Sequence, residues 1–320
     1  MTLADYLQQG VAALSQGDLD AAETSFRAAV EMDPDNANAH NNLGFTLAQN
    51  QRWQESLIHL RSALSINPDS SMAHCNIGQV LIATGDTNAG MEHIEQSVNK
   101  DPGNAIAWDT LARFRVLAGD FQTAEYAAQR AIGIAPQQGS FYVRLGIAQA
   151  AQRRFNEAQR QYHTALELNP EDSEAWAQLG ITSFLMNNLG DARKALQRAL
   201  QINPGDTNAR RHLALAELTQ GNKQSAIEHF ITILRINPDD DSARLELAVI
   251  YISEFNNQEA RELLNTLSEG WKASARYRYY HGLLLRREGA IDEAERILTA
   301  LVAEDSDYSE RAAKLIATVH

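Results

Sequence analysis

The chain has 320 residues with 41 acidic and 28 basic side chains, a net charge of −13, which argues against nucleic acid as a whole-molecule partner. A single cysteine, Cys75, excludes an internal disulfide and fits a reducing compartment. No apolar run of about 18 residues is present to insert in a membrane, and the opening MTLADYLQQG, with Asp5 and no apolar stretch, does not read as a signal peptide, so a cytoplasmic protein is expected.

The seven prolines, Pro34, Pro68, Pro102, Pro136, Pro170, Pro204 and Pro238, recur every 34 residues. A length that would otherwise suggest two domains is therefore read as a repeat array. With proline at position 32, nine units begin at Leu3, Ala37, Ser71, Ala105, Gly139, Ser173, Thr207, Asp241 and Ala275.

Each unit predicts two amphipathic helices. In the first, position 8 is Gly10, Gly44, Gly78, Gly146, Gly180 or Gly282, with alanine in the other three units. In the second, position 20 is always alanine, serine or glycine, so two helix backbones are expected to approach closely there. Between the helices, position 15 is Gly17, Gly85, Gly119, Gly221, Gly289 or Asn187, residues that tolerate the left-handed backbone ending a helix. The second helix stops at Asx-Pro in most units, because proline drives the preceding residue out of helical geometry. Two residues on, Asn36, Ser70, Asn104, Asp172, Asp206 and Asp240 are good N-caps for the next helix, whereas Gln138 is not.

Units eight and nine lack the proline, and a local distortion is expected between them, where Ser268, Gly270 and Ser274 stand in for it. At the end, Ala312, Leu315, Ile316 and Val319 form an apolar stripe, which predicts a capping helix over residues 309–320 behind a repeat domain of residues 1–308.

An aromatic at position 4, Leu at 7, Gly at 8, Ala at 20, aromatic or Leu at 24, Ala at 27 and Pro at 32 resembles the tetratricopeptide repeat. Unit five carries it as Tyr142, Leu145, Gly146, Ala158, Tyr162, Ala165 and Pro170. The resemblance spans about residues 3–308. It implies an all-α fold, a right-handed superhelical solenoid of antiparallel helix pairs whose first helices line a concave groove. It also implies groove positions 2, 5, 6, 9, 12 and 13.

Three zones follow from those positions. Asn38, Asn41, Asn42 and Asn76 come from units two and three, Asn42 and Asn76 forming a short ladder suited to a peptide backbone. A mixed middle zone holds Arg113, Arg144 and Arg211 beside the apolar Ile147, Ile181, Phe184, Leu185, Leu215, Leu218, Val249 and Ile252, a surface expected to mark an interaction site. In unit nine, Arg276, Tyr279, Tyr280, Arg286 and Arg287 interleave aromatic rings with guanidiniums, a chemistry that grips acidic groups. The lysine that the family's carboxylate-binding members carry at position 5 is absent from all nine units, so that specific function is not expected.

His40 and His74 fall at position 4, and His59, His93 and His229 at position 23. They are spread along the array, and neither metal-binding spacing nor a cysteine cluster accompanies them. A structural or surface role is expected, with no metal, no cofactor, no small-molecule substrate and no catalytic site. The expected function is a non-catalytic adaptor that binds a partner protein or peptide. The alternatives are a regulatory or substrate-delivery module of an enzyme, secretion or biosynthetic assembly, or a self-assembling scaffold.

Overall fold

A computed structural model describes residues 1–304 and 306–317, so the expected contribution of Val319 to a capping helix lies outside the described residues. All regular elements among the described residues are α-helices. The chain divides into two compact units, one of Met1–Pro170 and one that begins at Glu171.

The first unit holds α1 (Leu3–Ser15), α2 (Leu19–Met32), α3 (Ala37–Gln49), α4 (Trp53–Ile66), α5 (Ser71–Ala83), α6 (Thr87–Lys100), α7 (Ala105–Leu117), α8 (Phe121–Ile134), α9 (Gly139–Ala151) and α10 (Phe155–Leu168). The second holds α11 (Ser173–Leu185), α12 (Leu189–Ile202), α13 (Thr207–Thr219), α14 (Lys223–Ile236), α15 (Asp241–Ser253), α16 (Asn257–Asn265), α17 (Glu269–Lys272), α18 (Ala275–Arg287), α19 (Ile291–Val302) and α20 (Ser309–Ala317). In both units consecutive helices pack against each other, with α16 meeting α18 past the short α17, and first helices also touch in α3–α5, α5–α7, α7–α9, α11–α13 and α15–α18.

The turn inside each pair is a left-handed stop. Gly17, Gly85, Gly119, Gly221 and Gly289 take φ of 76° to 97°, and Asn187 takes 61°. Three residues that the sequence did not single out, Gln51, Arg153 and Phe255, adopt the same backbone at φ 59°, 61° and 63°. The hydrogen bonds explain why. The Gln51 amide donates to the Ala48 carbonyl at 2.9 Å and the Arg52 amide to the Leu47 carbonyl at 2.9 Å, and the pattern repeats at Gly85 and Asp86. That double closure satisfies the last free carbonyls of the first helix and requires the left-handed residue whatever its side chain. A non-glycine residue there costs about 1–2 kcal/mol, which the closed turn offsets.

The junction between pairs is a stop followed by a start. Asp101 Oδ1 accepts from the Gly103 amide at 2.9 Å, and Asn67 and Asn237 reach the amides of Asp69 and Asp239 at 3.2 Å. The asparagine or aspartate before proline therefore ties down the backbone on the far side of the ring, a local bond that these side chains form readily. Next come the caps: Asn36, Ser70, Asn104, Asp172, Asp206 and Asp240 each accept from an amide of the first turn, and Gln138 makes no such bond.

Position 4 completes the junction. His40, His74, Trp108, Tyr142, Arg210 and Arg244 all give a side-chain hydrogen to the carbonyl of the preceding proline, Trp108 at 2.9 Å and Tyr142 at 3.1 Å. That carbonyl has lost its helical partner, so it needs a donor from elsewhere. The position is selected for a hydrogen-bond donor of sufficient reach, and an aromatic ring is only one way to supply it.

Within each pair, position 8 faces position 24. A Cβ on Gly10, Gly44, Gly146 or Gly180 would lie 2.4–2.6 Å from the side chain of Phe26, Leu60, Tyr162 or Leu196. Phe26, Leu60, Tyr162 and Leu196 are fully buried, so the large residue fills the space the glycine leaves.

The missing proline has a structural consequence. α16 has nine residues where α14 has 14, and the four-residue α17 follows it. Ser274 then caps α18, accepting from the Tyr277 amide at 3.2 Å. α20 closes the end by packing Ala312, Leu315 and Ile316 against Leu298 and Leu301.

Candidate functional site

In the first unit, α3 touches α5, α5 touches α7 and α7 touches α9. Their side chains form polar rungs between residues 34 or 35 apart. Asn76 Nδ2 donates to Asn41 Oδ1 at 2.9 Å, and Asn41 Nδ2 faces Asn42 Oδ1 at 3.3 Å. Cys75 Sγ donates to Thr110 Oγ1 at 3.4 Å, Arg113 Nη2 donates to Gln79 Oε1 at 2.8 Å, and Arg144 Nε donates to Asp109 Oδ1 at 3.4 Å. Asn41 and Asn76 are buried, Asn42 is half-buried and Asn38 is exposed. The ladder expected between Asn42 and Asn76 thus runs through Asn41, and the Asn76 amide is engaged inside it.

These rungs border two clefts. One, of about 420 Å³, is walled by Phe45, Trp53, Ile82 and Phe114, with Asn76, Gln79 and Arg113 among its polar lining. The Arg113 guanidinium lies 4.6 Å from the centroid of the Phe114 ring. The other, of about 470 Å³, collects Asn38, Asn41 and Asn42 with Asp69, Asp101, Met72 and Asn104. The asparagine zone is therefore split. Asn38, Asn41 and Asn42 share a polar, acidic cleft, whereas Asn76 and Arg113 line an aromatic one.

An aromatic wall with a few polar groups at fixed positions is the usual make-up of a binding cleft. Phe45 holds position 9, where the groove assignment already pointed. Trp53 and Phe114, at positions 17 and 10, lie outside the groove positions, and only the packing of neighbouring pairs brings them in.

Arg144 sits to one side of this cleft. Burial pushes the Asp109 carboxyl above its ordinary value, while the Arg144 and Arg113 guanidiniums pull it the other way. Ile147 is half-buried on α9.

The second unit spends most of its expected site residues internally. Ile181 and Phe184 pack on the cluster around Ala177 and Leu213, with the Phe184 ring edge-on to His212 at 6.0 Å. Leu215 and Leu218 pack on a second cluster and Val249 on a third, and Ile252 is 1% exposed, a core residue. Leu185 stays exposed. Arg211 donates to Asp240 at 2.5 Å.

On α18, both arms of Arg276 are held by Glu246 at 2.7 Å. Tyr279 and Tyr280 meet Tyr308 at ring distances of 5.3 and 6.2 Å, so the tyrosines cluster with the segment before α20. Arg287 donates to the Ile252 carbonyl and lies over the Phe255 ring at 4.5 Å, while Arg286 is half-buried. Among the described residues, no helix is long and apolar enough to cross a membrane.

No curated protein matches the sequence. A family model described as tetratricopeptide repeat matches residues 7–71 and 143–207, and a second model of that description matches residues 183–241 and 217–278. Among solved structures, the fold is similar to a human IFIT1 dimer with m7Gppp-AAAA, at TM-score 0.69 and 18% identity over 99% of this chain and 73% of that one. It is also similar to a chain of the APC/C hetero-tetramer Cut9–Hcn1, at TM-score 0.66 and 15% identity over 88% of this chain and 52% of that one. A tetratricopeptide repeat protein from Parabacteroides merdae matches at TM-score 0.59 and 17% identity, over 78% of this chain and 98% of that one. Identities this low establish the fold and leave function to the site.

Proposed function

Because the chain belongs to the tetratricopeptide-repeat family, we propose that it is a non-catalytic adaptor that holds a segment of a partner protein on the first helices of the unit Met1–Pro170. The cleft of Phe45, Trp53, Ile82 and Phe114 is the observation that carries this reading. An apolar side chain of the partner enters between the rings. Full burial of one leucine-sized group contributes about 1.5–3 kcal/mol before the costs of association. Gln79 and Arg113 at the polar edge meet the partner's backbone, so the segment is positioned as well as buried.

Two observations favour protein over a polyanionic ligand of the kind present with human IFIT1. The net charge is −13, and of the arginines expected to grip an acid on α18, Arg276 meets Glu246 and Arg287 donates to the Ile252 carbonyl. The Cut9–Hcn1 assembly shows a similar fold in a complex between proteins.

The test reverses the edge charge and opens the wall. A chain carrying Phe45→Ala and Arg113→Glu is expected to retain its helical circular dichroism and lose at least about tenfold in partner capture, a change of about 1.4 kcal/mol. Recovery of the same partners at the same yield by the folded variant would remove the cleft from the account.

A further inference from the structure

Positions 4 and 23 lie on opposite helices of a pair, and the turn between the helices brings them face to face. In units two and three both positions are histidine. The Nδ1 atoms of His40 and His59 are 3.1 Å apart, and those of His74 and His93 are 3.0 Å apart. The position-4 ring is held from its far side in both pairs. His40 Nε2 donates to the Pro34 carbonyl at 3.0 Å, and His74 Nε2 donates to the Pro68 carbonyl at 3.3 Å.

A carbonyl only accepts, so Nε2 of His40 and His74 carries the hydrogen, and in the neutral ring Nδ1 presents a bare lone pair. Histidine that gives one nitrogen to a backbone carbonyl and offers the other as a lone pair is the common form of a metal ligand, its tautomer and ring plane set by the outer bond. His59 and His93 are half-buried, so each pair opens to solvent on its second-helix side.

We propose that each histidine pair is a two-nitrogen clamp for a divalent ion of the copper type. Two neighbouring imidazole nitrogens with the remaining positions left to water suit a tetragonal ion, and among first-row divalent ions copper is held most tightly by such nitrogen ligands. Among the described residues, no three histidine, cysteine, aspartate or glutamate side chains are grouped to hold a metal, so a closed zinc site is not built. Water completes the coordination.

On binding, two metal-bound waters leave and two nitrogen–metal bonds form. The hydrogen that His59 or His93 shares across the gap moves from its Nδ1 to its own Nε2, so no proton is released. The position-4 ring stays on its carbonyl, and the outer ring turns to aim its lone pair at the ion.

The experiment is a titration of the intact chain with Cu²⁺ in a weakly competing buffer, followed by electron paramagnetic resonance and calorimetry. Two ions with imidazole-nitrogen coupling are expected per chain above any background binding. His59→Ala removes one, His93→Ala removes the other, the double variant removes both, and His212→Ala removes neither. Should an alanine variant lose its helical signal, His59→Gln and His93→Gln keep a polar group of similar reach in each place and are read in the same way. Unchanged stoichiometry and nitrogen coupling in the folded double variant would overturn the assignment, as would no copper signal in the parent chain.

Discussion

Gly78→Ala is expected to destabilise the first unit by about 1–3 kcal/mol, the usual cost of forcing extra volume into a closed contact. The added Cβ would lie 2.7 Å from the Gly90 carbonyl oxygen and 2.6 Å from Ile94 Cγ1. Ile94 is fully buried and cannot swing aside, and the carbonyl is backbone, so the relief must come from moving α5 away from α6. The constraint is mutual, because a Cβ on Gly90 would lie 2.7 Å from the Gly78 carbonyl oxygen. Gly133→Ala is the matched control. Nothing lies within 4 Å of its Cβ, and it sits exposed inside α8. There alanine is expected to stabilise by about 0.5–1 kcal/mol by restricting the unfolded chain. Urea unfolding followed by circular dichroism reads both, and equal midpoints for the two variants would contradict the close-approach account.

Acidification from about pH 7 to about pH 5 is expected to lower the melting temperature before the carboxylates titrate. Burial holds the rings of His59, His74, His93, His212, His229 and His281 below the ordinary histidine value. The unfolded chain takes up protons near pH 6.5 while the native chain resists, so the unfolded state binds more protons across this window. The stability these rings contribute is present above the unfolded value and is lost as pH falls through the lower folded values. Glu55 and Glu157 act later. Hydrogen bonds from Arg27 and Arg154, respectively, hold them below the ordinary carboxylate value, so their contribution persists until the pH drops under about 4.3. Melts in a metal chelator, repeated on a chain carrying His59→Gln, His93→Gln and His212→Gln, are expected to show a shallower slope in the variant. A parent melting temperature that is flat between about pH 7 and pH 5 would rule the mechanism out.

The repeat was legible because its signals are local. Asn104, Asp172 and Asp240 cap helices with their own side chains, and Gly17 or Gly85 stops one with its own backbone, so single residues report single events. Gln51, Arg153 and Phe255 stop helices equally well, yet their side chains carry no sign of it. The demand comes from hydrogen bonds that close over them, such as that from Arg52 to Leu47.

The site was harder to read for a related reason. Groove positions tell which face a residue occupies and not whether its polar atoms are already engaged. Asn76 turns out to be bonded to Asn41, and Arg276 to Glu246 a full neighbouring helix away. Trp53 and Phe114 reach the aromatic cleft from positions outside the groove set. The histidines show the limit most plainly, since positions 4 and 23 each recur as a column, and only the folded pair makes His40 and His59 neighbours.

The central claim is that a partner segment lies on the first helices of the unit Met1–Pro170, and site-specific photo-crosslinking tests it most directly. A photoreactive residue at Gln49, exposed at the lining of the aromatic cleft, is compared with one at Ile58, exposed on α4 and outside that lining. The account predicts a discrete adduct from position 49, absent from position 58 and lost when Phe45→Ala and Arg113→Glu are added. Adducts of equal yield from both positions, or an adduct from position 49 that survives the two substitutions, would contradict it.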